Sequence, residues 1–218
     1  MSENKPIKKR KRGRPSLSQE LDINDILDAA LHVFSENGYE GAQLKDVAQR
    51  VGVTNPLISY HFENKEILWK RAVAYLGEKL VVRFEDIQSY FKDLKGITML
   101  RAYTRQYIYF LAENPALYKI IFNEMGTDTW RSNYLSEHLL TPVIWFGEES
   151  INAPLSSLKE FKTIPRANFV SIILGVSGSF FMLAHHLKMQ YGTDVFSQQQ
   201  IEQHADVVND LIFSQYEN

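Results

Sequence analysis

The sequence predicts an all-α protein: an N-terminal three-helix helix-turn-helix head followed by a larger helical body. Three observations carry that prediction. Apolar residues recur at helical spacing in every patterned segment, and no convincing alternating strand or fixed-period repeat occurs. The breaks between segments fall at Gly, Pro and Asn. With 218 residues, there is material for two units with cores of their own.

Residues 1–21 form a basic arm, 22–66 the head and 67–218 the body. Residues 1–17 lack apolar periodicity and are dense in Lys, Arg, Pro and Gly, so they are expected to be disordered in the free chain. The first helix begins at Asp22 as cap, with Asp25 in its first turn. Ile23, Leu27, Ala30 and Phe34 lie on one face of it, and Gly38 supplies a left-handed end. A second helix gathers Leu44, Val47, Ala48 and Val51 and stops at Gly52. A short third is capped by Thr54 or Asn55, tolerates Pro56 in its first turn, and turns Ile58 and Phe62 inward. Asn64 caps a long helix from Lys65 to about Phe91. Helices over 98–113, 115–125, 130–150, 165–191 and 198–215 follow, with breaks at Gly96, Pro115, Gly126 and Asn152 to Ser157. Asn114-Pro-Ala-Leu-Tyr118 reads as a helix junction.

Composition excludes several classes. There are no cysteines, which removes disulfides, iron–sulfur clusters and thiolate zinc sites and fits a reducing cytoplasm. No apolar segment follows the basic start, as a secretory signal would require. Ala167 to Ala184 carries no charge but contains Asn, three Ser and two Gly, and it reads as a buried helix and not a membrane span. The net charge of −2 is unevenly placed. The arm has seven Lys or Arg against Glu3 and Glu20, a balance of +5, which leaves −7 for the rest. An acidic chain with one basic end points to a polyanion bound at that end.

In the head, Ile26, Phe34, Val47, Val51, Ile58 and Phe62 can pack together. That leaves Thr54, Asn55, Leu57, Ser59, Tyr60 and His61 outward on or beside the third helix, the arrangement by which a short helix reads the major groove. The same residues also fit the solvated surface of any small helical bundle. Residues 22–69 resemble the DNA-binding domain of the tetracycline-repressor-like (TetR) regulators. The likeness lies in Ile26-Leu-Asp-Ala-Ala30, Phe34, Gly38-Tyr39, Asp46-Val-Ala48, Val51-Gly-Val-Thr54, Ile58-Ser-Tyr-His-Phe62 and Asn64-Lys-Glu-Ile-Leu68. The resemblance implies base or groove contacts from Thr54, Asn55, Pro56, Leu57 and Ser59, and phosphate contacts from Tyr60, His61 and Lys65. Lys45 completes the candidate DNA-binding set. Two departures are visible: Ala42-Gln43 stands where the family often has a threonine, and Ser59 replaces a frequent tyrosine. The operator sequence therefore does not transfer.

Arg12-Gly13-Arg14-Pro15 has the core of a minor-groove hook, since two arginines about a glycine fit a narrow A·T groove of enhanced negative potential. A merely phosphate-neutralising tail fits it equally well.

Beyond about residue 70 the resemblance is architectural, and implies a body that dimerises and binds a small effector. Phe169, Ile173, Val176, Phe180 and Leu187 make one stripe and Ile201, Val208, Leu211 and Ile212 another. Gly175, Ser177, Gly178 and Ser179 permit close helix approach. A homodimer through the helices near 165–191 and 198–215 would use both stripes, as would an intramolecular core; two half-sites need two heads. Tyr103, Tyr107, Phe110, Phe122, Trp130, Trp145, Phe181 and His185 are the candidate walls for a small apolar or aromatic effector, and are also ordinary core residues. No cofactor, metal site or catalytic group is expected. His185 and His186 point about 100° apart on a helix, and neither a zinc-type His pair nor a phosphate loop occurs. The function expected is a DNA-binding regulator, most simply a repressor released by an effector; an effector-independent architectural DNA-binding protein is the alternative.

Overall fold

In the computed structural model the described residues are 22–90, 92–94, 96–141 and 165–214, and among them only helices and turns occur. The arm with Arg12 and Arg14, Trp145, and the part of the expected 130–150 helix past residue 141 lie outside these residues.

Helix α1 (Ile23–Gly41) starts where Asp22 Oδ1 accepts the Asn24 N–H at 2.9 Å. Gly38 has φ 66° and ψ 173°, so the expected end is a kink, after which helical geometry continues to Gly41. Helix α2 (Leu44–Val51) closes on left-handed Gly52, and α3 (Asn55–Phe62) follows with Thr54 at the capping position. Asn64 Oδ1 accepts the Ile67 N–H at 2.9 Å and opens α4 (Lys65–Tyr90). Its 26 residues reach about 39 Å, from the head deep into the body. One apolar core follows it, from Phe62, Leu68 and Trp69 to Leu80, Phe84 and Ile87. Helix α5 (Gly96–Glu113) ends at Asn114, whose Nδ2 donates to the Phe110 carbonyl at 2.9 Å, and Pro115 starts α6 (Pro115–Glu124) as the junction expected. Helix α6 packs on α1.

The expected continuous helix from residue 130 is different. Helix α7 (Trp130–Leu135) gives way to a π-helical turn, Ser136–Leu140. The wider turn lets the His138 carbonyl lie against Gly77 of α4 while Leu135 and Leu139 stay buried. A Cβ at Gly77 would stand 2.8 Å from that carbonyl oxygen, and backbone cannot step aside as a side-chain tip can. Gly77→Ala should therefore cost about 1–3 kcal/mol in thermal or urea unfolding. Gly175→Ala, with no neighbour within 4 Å, should cost nothing and provides the control.

The expected helix 165–191 is two helices, α8 (Arg166–Met182) and α9 (Ala184–Tyr191), bent by 57° at Leu183. The bend and the left-handed Gly192 turn the chain back, so that Val195 is buried and Phe196 stacks on Phe181 at 5.7 Å. Among the described residues no single helix is long and apolar enough to cross a membrane, and only the bent α8–α9 pair taken together passes that measure. The last helix is α10 (Gln198–Phe213), packed on α5 and α8. The two stripes assigned to a dimer face turn partly inward: Phe169, Ile173, Val176, Phe180, Ile201 and Ile212 are half-buried against the core, and Val208 is buried completely. Gly178 does permit close approach, but to Tyr118 of the same chain, whose ring fills the space of a Cβ.

His204 ties α10 to α8. Its Nε2–H donates to the Ser177 carbonyl at 3.1 Å, and its ring stacks on Phe180 at 4.4 Å. Burial lowers its pKa, against the opposing effect of that hydrogen bond. The unfolded chain then takes up a proton near the ordinary value of 6.5 while the folded chain still resists it. Stability should be full above that pH and decline as pH falls below it. His204→Gln, which keeps an N–H donor and does not titrate, should flatten that part of the profile of melting temperature against pH.

Candidate nucleic-acid interface

The head puts two kinds of surface back to back. Val47 and Ala48 of α2 and Ile58 and Phe62 of α3 are buried against α1 and α4. The turn of a helix then leaves Thr54, Asn55, Pro56 and Tyr60 exposed and Leu57, Ser59 and His61 half-exposed, with Lys45 exposed on α2. Tyr60 is 82% exposed, a cost for an aromatic ring that a partner surface would remove. Its ring meets His61 edge to face at 5.3 Å, which places a phenol and an imidazole side by side. Both can donate to phosphate oxygens, while the side chains at the helix start carry donors and acceptors suited to base edges.

The turn after α3 is held tightly. Glu63 has φ 53° and ψ −55°, a backbone that costs a non-glycine residue on the order of 1 kcal/mol. Its N–H donates to the Ser59 carbonyl at 2.9 Å, and the Asn64 N–H donates to the Phe62 carbonyl. This sharp reversal fixes α3 against the start of α4. Where the family threonine is missing, the Gln43 N–H finds the Asp46 carboxylate at 3.2 Å, so α2 keeps a cap.

Lys65, expected to contact phosphate, is already engaged within the chain. Its ammonium donates to the carbonyls of Tyr39 at 2.8 Å and Glu40 at 3.2 Å, and lies 4.5 Å from the centre of the Tyr39 ring. The Gly38 kink exposes those carbonyls, and satisfying them leaves Lys65 one further N–H. Arg71, not anticipated from sequence, is exposed with its guanidinium 5.1 Å from the centre of the Phe62 ring, a cation beside the end of α3.

Among the described residues the effector candidates differ in burial. Tyr103, Tyr107, Phe110 and Phe181 are buried, whereas Phe122, Trp130 and His185 are exposed. Phe122 falls on the outer side of α6, opposite buried Leu117 and Ile120. The bend at Leu183 turns His185 outward, and Trp130 belongs to the junction with the head. Burial, then the charge of Tyr118, pushes the Tyr107 hydroxyl far above the ordinary phenol range, so it stays protonated. A shallow groove of about 230 Å³ between α5 and α10 has mixed walls, Arg101, Arg105, Gln106 and Asn209 beside Leu94 and Ala102, and contains none of the predicted residues.

Residues that sequence periodicity missed stand where head meets body. Tyr39 of α1, Trp69 of α4 and Trp130 of α7 meet edge to face, with centroids 5.3–6.2 Å apart. Arg131 and Glu124 form a largely buried ion pair beside them at 2.7 Å. Adjacent aromatic and basic residues such as Trp130-Arg131 were the available signal, but nothing in their spacing said what they faced.

Residues 26–72 match the family model described as bacterial regulatory proteins, tetR family. The biofilm-operon icaADBC negative transcriptional regulator IcaR of Staphylococcus epidermidis is 38% identical over 48 residues, 22% of this chain and 26% of IcaR. The transcriptional regulator RutR of Escherichia coli K12 is 27% identical over 113 residues, 52% of each chain. The chain thus spans about a quarter to a half of the length of these curated relatives. Among solved structures, a putative fatty acid metabolism regulator of Clostridium perfringens superposes with a TM-score of 0.67 at 19% identity, covering 87% of this chain and 97% of that one. FadR of Bacillus subtilis, solved with stearoyl-CoA, gives 0.58 at 18%, covering 87% and 98%. At these identities the two structures establish a shared fold.

Proposed function

We propose that this chain is a regulator of the TetR family and not an enzyme: a homodimeric repressor that reads operator DNA in the cytoplasm and is released by a small apolar or aromatic effector. The observation that carries the reading is α3. One side is sealed into the head by Ile58 and Phe62, and the other presents Thr54, Asn55, Ser59, Tyr60 and His61 outward with no burden of packing. Thr54, Asn55, Pro56, Leu57 and Ser59 face the bases; Tyr60, His61, Lys45 and the remaining N–H of Lys65 face phosphate. Arg12 and Arg14 of the arm add minor-groove or phosphate contacts. Two heads in a dimer meet half-sites about 34 Å apart, and an effector acts by favouring a different head spacing. IcaR's role as a negative regulator supports repression, and the stearoyl-CoA complex of FadR supports an effector with a large apolar part.

Selection from a randomised duplex library tests the reading. Wild type should enrich a two-fold-symmetric sequence, and the Tyr60→Ala, His61→Ala double variant should lose about tenfold or more in affinity for every duplex, as lost phosphate contacts do. Asn55→Ala should instead change which duplex is preferred, by about 1–3 kcal/mol. Unchanged affinity of the double variant would remove α3 from the interface. The buried state of Tyr103, Tyr107, Phe110 and Phe181 favours a second reading, an architectural DNA-binding protein without an effector, whose footprints would spread over A·T-rich loci.

A further inference from the structure

Helix α1 of the head packs on α4 and on α6 of the body. At its C-terminal end the Gly38 kink carries Tyr39 and Glu40 out of the helix line toward α6 and α7. Arg131 of α7 meets both. Its guanidinium lies 4.6 Å from the centre of the Tyr39 ring and donates to Glu40 Oε1 at 3.3 Å. Its Nε donates to Glu124 Oε2 of α6 at 2.7 Å. The Arg131 side chain is only 15% exposed and that of Glu124 8%, so the pair works away from solvent screening, while Glu40 is open to water. On the head side Lys65 secures the same short segment through the Tyr39 and Glu40 carbonyls.

We propose that Arg131 is a positioning residue for DNA recognition: its planar fork clamps Tyr39 and Glu40 of the head to Glu124 of the body and so sets the angle at which α3 is presented. The claim rests on the reading of α3 as the DNA-binding helix, but the clamp itself is testable without DNA. A guanidinium suits this place because one rigid plane donates to two carboxylates and stacks on an aromatic face, whereas an ammonium is a point charge. Glu124 has the buried share of the contact and anchors the arginine to α6. Glu40 and Tyr39 have the exposed share, where a change of head angle would first break it. The clamp thus adds a polar tie across three elements that already pack together: the kinked end of α1, the last turn of α6 and the first turn of α7.

The chain has no cysteine, so Gln49→Cys at an exposed position of α2 and Lys119→Cys at an exposed position of α6 give a clean spin-label pair for head-to-body distance. Removing Arg131 alone strands a buried carboxylate, so the working variant is Arg131→Gln with Glu124→Gln, accompanied by Glu40→Gln and Arg131→Lys. The double variant should broaden or shift the distance distribution, with Glu40→Gln showing a smaller change and Arg131→Lys failing to restore the wild-type width. On the library-selected duplex and copies with one to three base pairs inserted between half-sites, wild type should discriminate by about tenfold or more, and the double variant by only about threefold, because a loose head follows a rotated half-site. An unchanged distance distribution in the folded double variant overturns the clamp. If wild type selects no duplex, the DNA reading falls while the distance measurement still decides the clamp.

Discussion

Trp69→Ala is expected to destabilise the chain by about 3–5 kcal/mol, the range for removing a fully enclosed large aromatic side chain. Trp69 is 1% exposed and sits in the second turn of α4, where head and body share one core. Its indole meets Trp130 at 5.3 Å, Tyr134 at 5.8 Å and Tyr39 at 6.2 Å, so truncation removes three edge contacts together with the buried area. Collapse of the hole is opposed from every side: α1 is held by the Gly38 kink and Lys65, and α7 by the Thr129 and Ser132 caps and by Arg131. A well-supported cavity is a costly one. At about 2–4 °C per kcal/mol for a chain of this size, the melting temperature should fall by roughly 6–20 °C. Trp130→Ala, which starts from 37% exposed, should lose well under half as much. Equal losses at the two positions would mean that the junction is not packed as described.

What sequence made legible was whatever depends on local spacing. Asp22, Gly52, Asn64 and Asn114 mark helix ends through their own side-chain or backbone chemistry, and each does so in the structure. The division of α3 into inward Ile58 and Phe62 and an outward polar set follows from helical period alone. Features that depend on a neighbour distant in sequence were not legible. The π turn at Ser136–Leu140 exists against Gly77, some 60 residues away, and no periodicity in the segment reports that partner. The bend at Leu183 has no Gly or Pro to announce it, and closes onto Val195 and Phe196. Spacing left the effector walls open for the same reason. Aromatic residues at helical spacing look alike whether they line a hollow, fill a core as Tyr103 does, or face water as Phe122 does. At Lys65 the residue type follows the family pattern, but its contacts with the Tyr39 and Glu40 carbonyls depend on the Gly38 kink and were not legible in spacing.

Leu211→Glu should turn a dimer into a folded monomer, and the contrast with Val208→Glu makes the expectation specific. Both residues belong to the stripe assigned to self-association, yet Val208 is fully buried in its own chain and Leu211 is 68% exposed. Glutamate at Val208 leaves an unpaired charge in the core and should unfold the protein. Glutamate at Leu211 meets water in the lone chain and costs nothing there; only a partner surface would make it costly. Further outward apolar residues are Val207 one turn back on α10 and Ile172 on neighbouring α8. Helix α10 is rich in acid, but Asp206 and Asp210 are drawn to Arg105 and Arg101 of α5, which removes part of the like-charge repulsion between two such faces. In light scattering, wild type should run at twice the chain mass and Leu211→Glu at the chain mass, with the same helical circular dichroism. Affinity for the selected duplex should fall by about 100-fold or more, because a single head reads one half-site and loses the second binding event that linkage makes nearly free. A Leu211→Glu protein that remains dimeric and keeps its affinity would place self-association on another face, and would leave this exposed apolar surface without the partner argued for it.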